Sequence, residues 1–330
     1  MRAPEFWRAD GVAARALTPL AWAYAAGGDM RRRLARPRMV AAPVICVGNL
    51  VAGGAGKTPV ALSLGAAAVE LGHNPHFLTR GYGGRITGPQ RIDPARHTAA
   101  DAGDEPLLLA AVAPTWVAQD RAAAADAAVA AGAALLIMDD GHQNPTLRKD
   151  LSLVVIDGDY GLGNGRVMPA GPLREPPADG LARADVVVMI GEDRHGIAAN
   201  AARWVPVMRA RLSPTEWSKR FAGEAVLGFA GIGRPEKFFA TLRALGCRVV
   251  GEQAFADHHP YTADEIMRLV ERAATRGATP VTTAKDHVRL PPEARAMIEV
   301  IEVTLDWADA DAPAQLIERA VKRRRARPHG

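Results

Sequence analysis

The stretch Val44-Ile45-Cys46-Val47-Gly48-Asn49-Leu50-Val51-Ala52-Gly53-Gly54-Ala55-Gly56-Lys57-Thr58 decides the fold. It opens as an apolar, β-branched run and turns through closely spaced glycines. It ends in Lys-Thr at the head of an Ala/Leu-rich helical segment. That is the grammar of a strand, a phosphate-binding loop and a helix. Across Gly53, Gly54, Ala55 and Gly56 the backbone N–H groups can converge on a polyphosphate, and the helix N-terminus adds partial positive charge. Lys57 can reach the β- and γ-phosphates, and the Thr58 hydroxyl suits Mg²⁺. The stretch predicts a nucleoside triphosphate site with Mg²⁺ as cofactor. It departs from the usual G-x-x-x-x-G-K-[ST] at Val51, and from a K-G-G-x-G-K-[ST] variant at Ala52.

With 330 residues the chain can bury two cores. Aromatic residues make up only 5%, which argues against a stacking platform for single-stranded nucleic acid. The net charge of +5 is modest and gathers partly in Arg31 to Arg38 and Lys322 to Arg327. Such clusters suit solvated helix ends or an anionic surface. Cys46 and Cys247 are the only cysteines and lack metal-type spacing. A monomer in a reducing compartment is expected.

Leu17 to Ala26 is apolar but far shorter than the about 20 residues a span needs. With Phe6, Trp7, Leu17, Leu20, Trp22 and Tyr24 followed by arginines, residues 1–30 read as an amphipathic segment lying in a membrane interface. A helix packed on the protein is the alternative. Apolar runs at residues 76–79, 134–138, 153–156, 185–190, 225–229 and 247–250 alternate with Ala-rich helical windows. That pattern implies a parallel sheet covered on both faces. The predicted fold is α/β: a P-loop NTPase-type, mostly parallel sheet with flanking helices and a second, smaller α/β domain. The expected boundaries are 31–205 for the first domain and 206–311 for the second. A last helix over 312–325 is expected to return to the first. Residues 161–177 form a Gly/Pro-rich loop too long to be a mere connector.

Leu135-Leu136-Ile137-Met138-Asp139-Asp140 is an apolar strand ending in acid, the form of a Walker B element that orients Mg²⁺. Gly103-Asp104-Glu105-Pro106 reads, by itself, as a helix cap. Asp257-His258-His259 precedes another helix but has no third ligand at zinc-like spacing.

Taken in order, these motifs resemble the tetraacyldisaccharide 4'-kinase (lipid A kinase) family. So do Thr79-Arg80-Gly81-Tyr82-Gly83-Gly84, Asp139-Asp140-Gly141-His142-Gln143-Asn144, Pro169 to Pro176 and Thr282-Thr283-Ala284-Lys285-Asp286. The resemblance implies transfer of the ATP γ-phosphoryl group to the 4'-hydroxyl of an acylated disaccharide-1-phosphate. It places the protein at the cytoplasmic face of the Gram-negative inner membrane, against an anionic surface and without nucleic acid. It implies Asp104 as base and His258 as its partner. Lys57 and an arginine, Arg174 ahead of Arg121, would offset phosphoryl charge. Asp139, Asp140 and Thr58 would serve Mg²⁺, with Glu105 and Gln143 beside them. Asn49, Arg80, Tyr82 and Gly83 would meet the sugar and phosphate of the acceptor, and Asn49 also borders the nucleotide loop. Two other classes share parts of this signature. A P-loop GTPase needs a guanine reader that Thr283-Ala284-Lys285-Asp286 only brushes. A partition-type ATPase needs the lysine that Ala52 replaces. A basic membrane-binding module is the third reading, and no nucleic-acid motif supports an RNA or DNA variant of it.

Overall fold

Continuous apolar runs become strands buried along their length, because helices cover both faces of the sheet they enter. A computed structural model describes residues 4–326. Its first sheet begins with β1 (Val44–Gly48), β2 (Pro75–Thr79), β3 (Gln90–Arg91), β4 (Thr115–Val117), β5 (Leu135–Asp139), β6 (Leu151–Asp157), β7 (Val186–Ile190) and β8 (Val207–Pro214). A second sheet follows with β9 (Ala225–Ala230), β10 (Arg248–Ala254), β11 (Thr279–Thr283) and β12 (Glu299–Ile301). The chain then returns to the first sheet with β13 (Val303–Trp307). The nine-stranded order is β13-β8-β7-β6-β1-β5-β2-β4-β3, parallel except for the edge strands β13 and β3. The four-stranded order is β10-β9-β11-β12, all parallel.

The phosphate-loop strand β1 lies at the centre, between β5 and β6. Val47 is in register with Asp139, so the loop leaves its strand beside the acidic end of β5. Strand order reverses at β1, and open α/β sheets bind ligands outside the C-terminal strand ends at such a point. At the loop's exit Gly56 has φ +87°, and a Cβ there would meet Ile190 Cδ1 at 2.5 Å. Glycine alone fits, and helix Lys57–Glu70 starts at the next residue. That helix buries Val60, Ala61 and Leu64 in one core with Leu316, Ile317 and Ala320 of the C-terminal helix Ala312–Arg325. In the second sheet, alternate residues feed opposite faces. Val226 and Val281 meet Phe238 and Leu242, while Leu227 and Phe229 meet Ile266 and Leu269.

Two sequence expectations need correction. Residues 206–311 were assigned to the second domain, yet β8 pairs with β7, and β13 pairs with β8, in the first sheet. The chain therefore crosses between the sheets after Pro214 and again at Glu302, later and earlier than the composition suggested. Both strands are largely exposed or half-buried, so their pairing leaves little mark in hydropathy. The amphipathic segment also divides. Trp7 donates its indole N–H to Pro169 at 3.1 Å, and Asn164 donates to the Phe6 carbonyl at 3.0 Å. Phe6, Trp7 and Leu17 are thus half-buried against the protein. Helix Thr18–Leu34 buries Ala21 and leaves Leu20, Trp22, Tyr24, Met30 and Leu34 exposed. Leu20, Tyr24, Gly27, Met30 and Leu34 recur every three or four residues and so share a face. Among the described residues no helix is long and apolar enough to cross a membrane. Met1 and Arg327, at the two ends, lie outside the described residues.

Candidate active site

Four elements converge on the end of β1. Thr58 donates its hydroxyl to Asp139 Oδ2 at 3.1 Å. The other Asp139 oxygen is buried with no hydrogen-bond partner among the described residues. This carboxyl is pushed up to about 7, chiefly by burial, with Glu105 and Asp140 adding to the rise and Lys57 and the Thr58 hydrogen bond opposing it. Asp140 follows in the left-handed region, φ +53°, which aims its side chain back over the loop. There it accepts from Arg174 at 2.7 Å and lies 3.6 Å from Lys57 Nζ. Burial opposes its ionisation, but Lys57 and Arg174 outweigh that and hold it below the ordinary carboxylate range.

Arg174 reaches this point because the Gly/Pro-rich loop is laced to the stem of the phosphate loop. Arg174 N donates to the Leu50 carbonyl at 2.8 Å and Ala52 N to the Pro172 carbonyl at 2.7 Å. Gln143 donates to the Asn49 carbonyl and to Glu175, each at 2.9 Å. Glu175 is buried between Arg183 and Arg32, the latter on the N-terminal helix at 3.3 Å. Asn49 is fully buried and donates to the carbonyls of Val51 at 2.6 Å and Gly53 at 3.4 Å. It shapes the loop from beneath.

The second cluster joins the two sheets. Gly103 has φ +87°, and a Cβ there would lie 2.6 Å from the Tyr82 carbonyl. This close approach brings the exposed Tyr82–Gly83 turn to Asp104, the first residue of helix Asp104–Ala110. His258, also left-handed at φ +57°, comes from the second sheet and places Nδ1 3.0 Å from an Asp104 oxygen. Lys285 Nζ and Arg289 Nε stand 3.7 and 3.5 Å from the same carboxylate. Burial raises the Asp104 carboxyl, but the His258 hydrogen bond and the charges of Lys285, His258 and Arg289 prevail and hold it low. The rings of Tyr82 and His258 are 5.6 Å apart. Ligand atoms of Asp104, Glu105 and His258 come within 4.8 Å of one another. Lys285 already bonds Glu105 at 2.9 Å, so an ammonium takes the place a cation would seek.

Most of the residues singled out from sequence are thus assembled. Gly53, Gly54 and Gly83 are exposed at the opening, as is Arg80 at the end of β2. Arg121 and the fully buried Asn49 are the exceptions, and of the two Arg121 departs further from its expected role. It is 3% exposed and donates to the Ala118 carbonyl beneath the site, so it is not poised at the opening. Asn49 and Gln143 spend their amide N–H groups on protein groups. His259 turns away to Glu265 at 3.1 Å, so the two adjacent histidines do not converge. Sequence reasoning gave no role to Lys285, Arg289, Glu175, Asp157, Arg234 or Lys237. Asp157 carried a signal, since Leu153-Val154-Val155-Ile156-Asp157 repeats the strand-then-acid form of β5. The cations facing it carried none.

A central parallel sheet, a glycine-rich phosphate loop and an acid at the end of the adjacent strand define a P-loop phosphotransferase. A family model for tetraacyldisaccharide-1-P 4'-kinase matches residues 13–322, and the chain belongs to that family. A tetraacyldisaccharide 4'-kinase of Rhodospirillum centenum is 56% identical over 323 residues, covering 96% of each chain. One of Rhodospirillum rubrum is 53% identical, covering 97% of this chain and 98% of its own. In three dimensions the chain is similar to the solved structure of LpxK from Aquifex aeolicus in complex with ATP. The TM-score is 0.72 at 23% identity, covering 93% of this chain and 99% of the other.

Proposed function

We propose that this chain performs the reaction of its family with Asp104 as the general base and the phosphate loop as the ATP cradle. The reaction transfers the γ-phosphoryl group of ATP to the 4'-hydroxyl of an acylated glucosamine disaccharide-1-phosphate, a step of lipid A synthesis. The observation that carries the residue assignment is the Asp104–His258 pair. A buried carboxylate held ionised by Lys285, Arg289 and the His258 hydrogen bond, all three drawn from the second sheet's unit, lies beside an exposed turn. A helix cap would need none of that. Asp104 takes the proton of the acceptor hydroxyl, and His258 orients the carboxylate. Lys57 and Arg174, now held by Asp140, turn to the β- and γ-phosphates when nucleotide enters. Arg80, Tyr82 and Gly83 line the approach of the disaccharide and its phosphate.

Mg²⁺ fits the residues present. The partnerless oxygen of buried Asp139, with the Thr58 hydroxyl beside it, is a hard-oxygen pair of the kind that suits Mg²⁺. Asp139 and Thr58 would hold the ion and Asp140 its water shell; when bound it supplies charge that offsets the phosphoryl oxygens. The exposed face of helix Thr18–Leu34, with Arg31 and Arg33 at its end, supports a peripheral seat on an anionic bilayer at the cytoplasmic face of the inner membrane. The protein acts there as a monomer. Incubation with γ-labelled ATP, Mg²⁺ and disaccharide-1-phosphate tests the whole reading. The expected product is a bis-phosphorylated lipid; hydrolysis of ATP without lipid labelling would overturn it.

A further inference from the structure

The phosphate loop is held from outside its own sheet. Arg234, which precedes helix Pro235–Ala244 of the second sheet, donates to the Gly54 carbonyl at 2.6 Å and also to Asp157 at the end of β6. Lys237, one turn on, donates to the same Asp157 oxygen at 2.5 Å. The Tyr160 ring lies 5.2 Å from the Arg234 guanidinium carbon. Burial raises the Asp157 carboxyl, but Lys237 and Arg234 outweigh it and keep it ionised.

Gly54 is where the loop needs such help. Nothing lies within 4 Å of where a Cβ would sit on Gly53 or Gly54, so no side chain packs the loop tip. The Gly53 carbonyl is tied from below by Asn49. The Gly54 carbonyl is tied by Arg234. In a trans peptide the C=O and the following N–H point in opposite directions. Holding the Gly54 carbonyl outward therefore aims the Ala55 N–H inward, toward the phosphates. Two glycines in open space would otherwise sample many peptide orientations.

We propose that Arg234, Lys237 and Asp157 form an ionic clasp by which the second sheet's unit fixes the phosphate loop in its nucleotide-binding shape. Arg234 is a positioning residue in this scheme, and the inference rests on the ATP reading of the loop. The second unit then grips both halves of the site: His258, Lys285 and Arg289 on the Asp104 side, Arg234 and Lys237 on the nucleotide side. The chain crossings between the units are themselves joined, since Ser218 Oγ donates to the Glu302 carbonyl at 3.0 Å and accepts from Glu302 N at 2.8 Å.

The test compares ATP affinity, by displacement of a fluorescent ATP analogue in Mg²⁺, with kcat at saturating ATP. Arg234→Ala should weaken ATP binding about tenfold or more, the scale of a lost charge-assisted hydrogen bond, with kcat within about threefold. Both bonds leave one guanidinium nitrogen, Nη2, so Arg234→Lys, whose ammonium carries three donors on one nitrogen, should recover part of that affinity. Asp157→Asn, which leaves Arg234 in place but unanchored, should weaken ATP binding in the same direction. Arg243→Ala removes an exposed ion pair with Glu252 in the same unit and should leave affinity unchanged. Thermal unfolding checks that each variant folds. Wild-type affinity in both folded Arg234→Ala and Asp157→Asn overturns the clasp while leaving the kinase reading intact. A loss confined to kcat also overturns it, because Arg234 would then act on the transferring group. If the wild-type chain fails to bind ATP, the nucleotide reading and the clasp fall together.

Discussion

Asp104→Asn separates the two roles the sequence leaves open for that residue. Asparagine keeps the size of the side chain and an oxygen facing Glu105 N, which donates to Asp104 Oδ1 at 3.1 Å. It also caps helices about as well as aspartate. What it removes is the charge and the capacity to accept a proton. General-base assistance contributes about 10²–10⁴-fold, so kcat should fall by that factor, while ATP affinity, set at the other end of the site, stays near wild type. The structural cost must be tracked, because Lys285, Arg289 and His258 all face this carboxylate. Removing one partner of a buried pair costs about 3–5 kcal/mol; asparagine retains a hydrogen-bonding oxygen and should cost less. The pH dependence follows from sign. The native carboxyl is held below its ordinary value, so its stabilising contribution is complete above the unfolded value and lost as pH falls through the folded one. Asp104→Asn should therefore flatten the stability curve only below about pH 4, and Asp104 itself should give no acid limb in kcat near neutrality. The assays are steady-state phosphorylation of the disaccharide, fluorescent-nucleotide binding and thermal unfolding from pH 3 to 8. A folded variant with kcat within tenfold of wild type would refute the base assignment and leave Asp104 as a structural partner of His258, Lys285 and Arg289.

Lys57→Ala should abolish phosphoryl transfer with native circular dichroism, because the ammonium neutralises phosphate charge and its protein partner is Asp140; retained turnover would remove the phosphate-loop assignment. Asp139→Asn should eliminate Mg²⁺-dependent activity yet stabilise the metal-free protein at pH 8 by up to about 4 kcal/mol, since it removes an ionised buried carboxylate whose rise to about 7 costs about 1.4 kcal/mol per pH unit. The sign follows from a folded value of about 7, above the unfolded one: wild-type stability drops as pH rises toward 7, and the variant's should not, as unfolding scans would show. Joint exchange of Leu20, Met30 and Leu34, which share the exposed face, to serine should release the protein from anionic vesicles by about a hundredfold or more while ATP binding persists, since each large side chain gains about 1.5–3 kcal/mol on full burial. This is a cleaner perturbation than deleting the N-terminus, which would also cut Trp7 from Pro169 and Asp10 from Arg166. Unchanged flotation would move the membrane seat elsewhere.

Much of the site was legible because its chemistry is local in the chain. Gly53 to Thr58 is a phosphate loop wherever it occurs, since its donors are its own backbone and its cation the next residue. Apolar runs such as Leu135–Met138 read as buried parallel strands because they are too short for a buried helix and alternate with Ala-rich helical windows. Asp139 and Asp140 followed from their place at a strand's end. Asp104 and His258 were found by resemblance; by itself the sequence made one a cap and the other a surface histidine. Their meeting at 3.0 Å spans 154 residues and two sheets, and no periodicity encodes a contact between separate folding layers. The same reason hid Arg234, an arginine before a helix like many others until the fold sets it on Gly54 and Asp157. It also misled the reading of Arg121, whose charge suggested a substrate contact and which the packing buries. Local sequence thus determined which segments carry reactive groups. Tertiary structure decided which groups face one another, because that depends on strand order and on where the chain crosses between sheets.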